Sequence, residues 1–180
     1  MVRVQRSKPV QDHTSASAAP LSVTMSVIGW VRSPYTERFG TPRQPPVTQQ
    51  VLEDAALPAQ IVLREDLAEA AADLQGFGHI WVLAWLHLNR GFSTTVLPPR
   101  GPRVRRGVLS TRAPHRPNPI ALSALRLVRV EGCILHVHGI DLLDGTPILD
   151  VKPYVPYTDA YPDSAVGWLT GLIPDAPDRF

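Results

Sequence analysis

The chain has 180 residues, of which 44% are hydrophobic and 19 are proline, and its formal net charge is +2. This length and composition predict one globular domain, and the proline content favours short strands and shaped loops over long helices. The absence of an apolar run of about 18 residues excludes a membrane-spanning helix, while a single cysteine (Cys133) and no signal-peptide pattern favour a cytoplasmic protein.

The first 24 residues are polar, rich in serine and alanine, and without periodicity, so we expect a disordered N-terminal tail over residues 1–24. Met25 precedes the first convincing strand and offers an alternative translation start. The folded domain is expected over residues 25–170, and residues 171–180 are expected to form a C-terminal tail.

The first half of the domain predicts short strands around one helix. Residues 26–32, 48–53 and 60–64 have strand character, and residues 65–74 predict a helix because their apolar positions recur at helical spacing. Asp66 is the expected N-terminal cap of that helix. The long apolar run over 79–89 predicts a strand buried on both faces, with His79 as a core residue and His87 as a candidate site residue where the strand ends.

Further strands are predicted in the second half, joined in one place by a hairpin turn at Glu131-Gly132. Many short strands with one or two short helices predict a mainly-β fold, a small single-domain β-barrel, with a sandwich as the alternative. The chain has no βαβ alternation and no GxGxxG motif, which argues against a Rossmann fold. The predicted strands of this half cover residues 95–97, 106–111, 123–130, 134–139 and 148–152.

Two proline-rich polar segments are the candidate functional loops. Gly107–Ile120 holds three prolines with Arg112, His115, Arg116 and Asn118, and a second segment over residues 141–154 contains a turn signal at Asp144-Gly145. Residues 100–116 contain six arginines and no acid, which indicates either a polyanionic partner or an ordinary solvated loop.

Two weaker features complete the candidates. Residues 40–44 form a proline-containing loop with an exposed guanidinium at Arg43, which could bind a carboxylate or phosphate or could pair with a surface acid. His136 and His138 share a face of one predicted strand but have no third ligand, so no metal site is expected.

Five segments in order resemble the TsaA/TrmO family, over roughly residues 26–168. These segments are residues 28–35, 39–45, 74–81, 107–120 and 141–157. The resemblance implies a TsaA-like β-barrel that uses S-adenosylmethionine to methylate N6 of threonylcarbamoyladenosine at position 37 of tRNA. It also implies a homodimer with cofactor sites near the subunit interface. A departure from the family pattern is the arginine-rich run over residues 100–106, where family members have Gly-Gly-Asn.

The motifs that match the family imply the cofactor contacts, and the implied reaction gives hypotheses for the general base, for tRNA binding and for adenine recognition. For the general base, the candidates are Asp141 and His115. The tRNA anticodon loop would be bound by Arg103, Arg105, Arg106, Arg116 and Asn118, and the backbone of residues 142–146 would read the adenine of the cofactor. The cofactor contacts are expected at Pro42, Arg43, Gln44, His87, Leu88, Arg112, Leu122, Asp141, Leu143, Asp144, Gly145 and Thr146.

Two other functions remain open from the sequence. One is a sensor module that binds S-adenosylmethionine or a nucleotide without catalysis. The other is a methyltransferase that acts on a different nucleoside or on a small molecule.

Overall fold

The computed structural model describes residues 21–37, 41, 58–99 and 101–172. Six strands close into a barrel in the order β1-β2-β7-β6-β3-β8 with antiparallel neighbours, and β4 and β5 form a separate two-stranded ribbon. The barrel confirms the mainly-β prediction and decides against the sandwich. In chain order the strands are β1 (Gly29–Arg32), β2 (Ala59–Leu63), β3 (His79–Trp85), β4 (Thr95–Val96), β5 (Arg106–Gly107), β6 (Ile120–Glu131), β7 (Ile134–His138) and β8 (Pro147–Pro153).

The barrel interior is filled mainly by side chains from alternate positions of β1, β2, β3, β6 and β7. On β3, for example, Ile80, Val82 and Ala84 are fully buried while the residues between them point outward. A small barrel of this kind is a packed core and not a cavity. Any ligand must therefore bind at the ends or on the outside of the barrel. The largest fully buried apolar side chains are Ile61, Ile80, Leu125, Leu135, Ile148, Val31, Val82 and Val137.

The helix predicted over residues 65–74 is wrong. The segment contains two short 3₁₀ turns, Glu65–Leu67 and Glu69–Ala71, and Ala71 is its one buried residue. Asp66 does not cap a helix, because its carboxylate accepts two hydrogen bonds from Arg64 at 2.6 and 2.9 Å. An alanine-rich stretch with so little apolar surface to bury gains little from forming a longer helix. The described α-helix is a single turn, α1 (Pro156–Asp159).

The strand predicted over residues 79–89 ends earlier and is buried on one face only. Strand β3 stops at Trp85, and its outward side chains are half-buried or exposed. His79 is therefore not a core residue; it is exposed, pairs in register with Arg126, and lies edge-on to the ring of Tyr154 at 6.2 Å. The reason is that the barrel closes on itself, so no second layer covers this side of the sheet.

The remaining predictions differ mainly at the strand ends. Residues 106–111 form the two-residue strand β5 followed by a 3₁₀ turn at Val108–Ser110, and the hairpin between β6 and β7 is confirmed. Its turn is Gly132-Cys133, where Gly132 has a φ of 57°. The predicted strand over 48–53 lies outside the described residues.

Three connecting segments leave the barrel at the same end, which we call the loop rim. Strand β3 ends where β6 begins, with Trp85 opposite Ile120, and β1 ends beside the start of β8, with Trp30 opposite Pro147. The segments after β1, β3 and β7 must therefore lie near one another. The loop rim consists of residues 33–37, 86–99, 101–119 and 139–146.

Candidate functional site

The bend over residues 141–146 is held in shape by the chain just after β1. The backbone N–H of Asp144 donates to the carbonyl of Tyr35 at 2.7 Å, and that of Gly145 donates to Val31 at 2.9 Å. Ser33 donates its own N–H to Oδ1 of Asp144 at 3.1 Å. The sequence predicts a cofactor-binding turn here, and the structure shows a bend whose conformation is fixed by hydrogen bonds to a distant part of the chain.

These contacts limit how the bend could recognise a ligand. The N–H groups of Asp144 and Gly145 are engaged with β1 and its loop, and the N–H of Thr146 donates to the carbonyl of Leu143 at 3.2 Å. These three donors are therefore already used within the chain, and adenine recognition by the backbone of residues 142–146 stays a prediction.

Asp141 is a partly buried carboxylate at the start of the bend. The hydroxyl of Ser123 donates to its Oδ1 at 2.6 Å, and Ser123 itself is only 2% exposed. Burial raises the pKa of Asp141 above its usual range, and the hydrogen bond from Ser123 and the charge of Arg112 act in the opposite direction. A carboxyl with a raised pKa beside a cation, at the rim of a barrel, is typical of an acid–base site.

The proline-rich loop that carries Arg112 and His115 is held by Arg116. Its Nη1 donates to the carbonyl of Thr111 at 2.7 Å and to that of Val108 at 3.3 Å. These contacts close the base of the loop. The substrate contact predicted for Arg116 stays a prediction, but one nitrogen of its guanidinium is already used to hold the loop.

The turn after β3 lies directly against the same loop. Leu86 donates its N–H to the carbonyl of Pro119 at 2.8 Å, and the ring of His87 lies 5.9 Å from that of Trp85. His87 and Leu88 are thereby placed on the same rim as Arg112. Their predicted contacts with a cofactor remain untested by this geometry alone.

A surface that we call the outer patch lies on the outside of the barrel beside the loop rim. It contains three exposed large side chains, Trp85 (45% exposed), Leu88 (67%) and Leu122 (55%). Next to them is an open groove of about 320 Å³. Contiguous apolar surface of this kind marks a binding surface. The groove is lined by Met25, Ser26, Leu83, Ile120, Leu149 and Asp150.

The arginines predicted to bind substrate lie on and next to the two-stranded ribbon. Arg105 donates to the hydroxyl of Thr95 at 2.9 Å and to its carbonyl at 2.7 Å, and the guanidinium of Arg106 lies 5.3 Å from the ring centre of Trp168. Arg103 is exposed, as is Asn118 on the neighbouring proline-rich loop. We call β4, β5 and residues 101–105 the arginine ribbon.

Three predicted cofactor residues cannot be placed. Pro42, Arg43 and Gln44 lie outside the described residues. Their contribution to the site stays a prediction from the family resemblance.

Three residues that hold the loops around the site were missed by sequence reasoning. Ser123 had a usable signal, because it is the polar position in an otherwise apolar inward-facing series on β6. Ser33 and Trp168 had none, since their partners lie 109 and 58 residues away in the chain.

Across residues 21–37, 58–99 and 101–172, no three histidine, cysteine or acidic side chains are grouped as metal ligands would be. His136 instead lies 2.9 Å from Oε2 of Glu131. Within the same part of the chain, no helix has the length and apolar character needed to cross a membrane.

The fold and the site define a class of protein, namely a small closed β-barrel whose polar groups gather in loops at one end. The family described as "tRNA-methyltransferase O N-terminal domain" matches residues 30–160. The chain therefore belongs to the TrmO family, as the sequence motifs indicate.

Similar proteins come from bacteria and mammals. The chain is 38% identical over 148 residues to "tRNA (adenine(37)-N6)-methyltransferase" of Escherichia coli (strain K12), covering 78% of this chain and 61% of that protein. The protein of the same name from Homo sapiens is 37% identical over 135 residues, which are 74% of this chain and 30% of the human one. The chain thus spans about three fifths of the length of its bacterial relative.

A solved structure supports the same assignment. The structure described as "Crystal structure of TrmO from Pseudomonas aeruginosa" superposes with a TM-score of 0.65 at 37% identity. The match covers 82% of this chain and 63% of the other.

Proposed function

We propose that this protein transfers a methyl group from S-adenosylmethionine to N6 of adenosine 37 in tRNA, and that the preferred adenosine carries a threonylcarbamoyl group. The observation that carries the proposal is the Asp141 carboxyl, with its raised pKa and its neighbour Arg112, on the loop rim of a chain in the TrmO family. The names of the relatives from Escherichia coli and Homo sapiens support the same reaction.

The residues at the rim fit the cofactor chemically. S-adenosylmethionine combines a carboxylate, two cationic groups and an aromatic base, and when bound it supplies an electrophilic methyl group. Arg112 would bind the carboxylate of the cofactor, and the acidic side chain of Asp144 would face its cationic groups. Leu88 and Leu122 would contact its adenine. Arg43, by the family resemblance, would add a second guanidinium.

The protein needs to contribute little covalent chemistry to this reaction. Methyl transfer would be an in-line displacement, in which N6 bonds to the methyl carbon as the bond from that carbon to the sulfonium sulfur breaks and S-adenosylhomocysteine leaves. Positioning and exclusion of water would account for much of the rate. The carbonyl next to N6 in the threonylcarbamoyl group makes the N6 proton easier to remove. Asp141 accepts that proton, because Ser123 holds its Oδ1 and leaves Oδ2 for the substrate; His115 is the other candidate base.

The tRNA would lie across the arginine ribbon and the proline-rich loop. Arg103, Arg105 and Arg106 would contact phosphates, and Asn118 would contact the anticodon loop. The carboxylate of the threonyl group suits the part of the Arg116 guanidinium that does not hold the loop. A tRNA substrate supports a cytoplasmic location.

Methyl transfer can be tested with purified protein. Incubation with S-adenosylmethionine and tRNA that carries threonylcarbamoyladenosine at position 37 should yield the N6-methylated nucleoside in a mass-spectrometric digest. An in vitro transcript of the same tRNA, which lacks the threonylcarbamoyl group, is the matched control and should react much more slowly. Equal turnover of the two tRNAs would contradict the preference for the modified base.

Calorimetry with the cofactor, combined with the turnover assays, separates the remaining alternatives. Cofactor binding without turnover of either tRNA would overturn the proposal in favour of a sensor. Methylation of a free nucleoside but not of tRNA would assign a small-molecule methyltransferase.

We also propose that the protein is a homodimer through the outer patch. Trp85 and the predicted cofactor residues Leu88 and Leu122 are exposed on this one surface, and a second copy would cover them and bring the cofactor site to the interface. An exposed apolar surface beside a cofactor site is the observation that supports this arrangement.

Replacing Trp85 with Glu should therefore split the dimer. A charge in the centre of the patch would have to be desolvated on association, so light scattering after size exclusion should show half the wild-type mass. Val128→Glu is the matched control, because Val128 is also an exposed apolar strand residue, 44% exposed, but lies six residues along β6 from Leu122, and it should leave the mass unchanged. A wild-type protein that is monomeric at micromolar concentration would overturn the dimer proposal.

A further inference from the structure

The chain after β8 runs from the barrel to the arginine ribbon, and we call residues 154–172 the C-terminal strap. Its beginning is attached to the barrel wall: Oδ2 of Asp159 accepts hydrogen bonds from Nε1 of Trp81 at 3.0 Å and from the N–H of Val155 at 2.8 Å. The direction of the strap is thereby set at the point where it leaves β8.

The other end of the strap contacts the arginine ribbon and the turn that follows it. Nε1 of Trp168 donates to the carbonyl of Ser110 at 2.9 Å, and the guanidinium of Arg106 lies over the Trp168 ring, 5.3 Å from its centre. Leu172 lies so close to Gly101 that a Cβ on the glycine would be 2.6 Å from Cδ1 of Leu172. Three separate contacts thus join the strap to residues 101–110.

The ribbon needs such support. It has only two residue pairs, Thr95 with Gly107 and Val96 with Arg106, and a two-stranded ribbon of this size is marginal in water by itself. A long arginine side chain is also costly to order, so a guanidinium that is already held over a ring loses less entropy when it binds a phosphate.

We propose that Trp168 is a positioning residue that holds the arginine ribbon, and Arg106 in particular, in the conformation that binds a polyanionic backbone. The identity of that polyanion as tRNA rests on the proposed function; the holding of the ribbon does not. Trp168 acts through Arg106 and Ser110 and contacts neither the reacting atoms nor the cofactor residues described above.

Trp168→Leu tests this role. The variant removes the ring and its N–H donor, so we expect the KM for tRNA to rise about tenfold, while kcat at saturating tRNA and the cofactor affinity stay at wild-type values. Trp168→Phe keeps a ring under Arg106 but loses the hydrogen bond, so its KM for tRNA should lie between those of the wild type and Trp168→Leu. Tyr161→Leu is the control, since Tyr161 is an exposed aromatic residue of the same strap.

A double-mutant cycle with Arg106→Ala shows whether Trp168 acts through the arginine. In the Arg106→Ala background, Trp168→Leu should raise the KM for tRNA by less than about threefold, because the cation that it orders is already gone. The same tenfold effect in both backgrounds would overturn the assignment, as would a loss of kcat and cofactor affinity in step with the loss of tRNA binding.

Elution from immobilised heparin gives a readout that does not depend on tRNA. Trp168→Leu should elute at lower salt than the wild type. Tyr161→Leu should elute at the same salt as the wild type. If Trp168→Leu elutes earlier than the wild type but the wild type does not methylate tRNA, the proposed function is refuted and this inference stands. Identical elution of Trp168→Leu and wild type would refute the inference and leave the proposed function intact.

Discussion

Replacing Asp141 with Asn is expected to lower kcat about 10²- to 10⁴-fold, which is the usual contribution of a general base. Asn has the shape of Asp and an Oδ1 that can still accept the hydrogen bond from Ser123, which is 2.6 Å long in the wild type. What it lacks is the ability to take the N6 proton. Single-turnover kinetics with saturating cofactor and tRNA measure this loss directly.

The pH dependence of the reaction should identify the same group. Because burial raises the pKa of Asp141, its basic form develops at a higher pH than in an ordinary aspartate, and wild-type kcat should rise as the pH passes through that raised value. In Asp141→Asn the residual rate should not follow this rise. A residual rate with an unchanged pH profile would assign the titration to another residue.

Stability separates this catalytic effect from unfolding. A carboxyl whose pKa is higher in the folded than in the unfolded state stabilises the fold at low pH, and this contribution is lost as the pH rises through the folded pKa. The Asn variant has no such loss, so its free energy of unfolding at neutral pH should not fall below that of the wild type. His115→Gln is the parallel variant: if it loses activity while Asp141→Asn keeps it, the base is His115.

Replacing Gly29 with Ala is expected to cost about 3 kcal/mol of stability and to lower Tm by about 10 °C. A Cβ at this position would lie 2.5 Å from the carbonyl oxygen of Val62 and 2.9 Å from Cα of Leu63. Both are backbone atoms of β2, so relief requires β1 and β2 to move apart. Thermal and urea unfolding of the purified variant measure the cost.

Gly78→Ala is the matched control for this prediction. A Cβ on Gly78 would meet no atom within 4 Å, so the substitution should leave stability the same or slightly higher, because alanine reduces the entropy of the unfolded chain. Equal stability of the two variants would contradict the close approach of β1 and β2 that closes the barrel.

Strands in which apolar and polar residues alternate strongly were predicted well from the sequence. The predictions failed where the burial of a segment depends on which other elements pack against it. Strands β2, β7 and β8 lie within a residue or two of their predicted ranges. The helix over 65–74 failed because spacing alone does not say whether an apolar face has anything to pack against. For β3, an apolar run looks the same whether a sheet is covered on both sides or closed into a barrel.

The site shows a similar division. Proline spacing and charge pointed to both functional loops, since stiff polar loops can be read locally. The contacts that hold these loops in place could not be predicted from the local sequence. Ser33 reaches the bend at Asp144 across 111 positions in the chain, and no local pattern reports such a contact.

That long reach has a consequence for when the binding bend can exist. Its amides bond to Val31 and Tyr35, near the first strand, while β1 closes the barrel by pairing with β8, the last one. During synthesis β1 can pair with β2 once both have emerged, but its edge toward β8 has no partner until residues 147–153 follow. The bend therefore cannot take its native shape until both ends of the domain are present, and contacts of such long sequence separation slow folding.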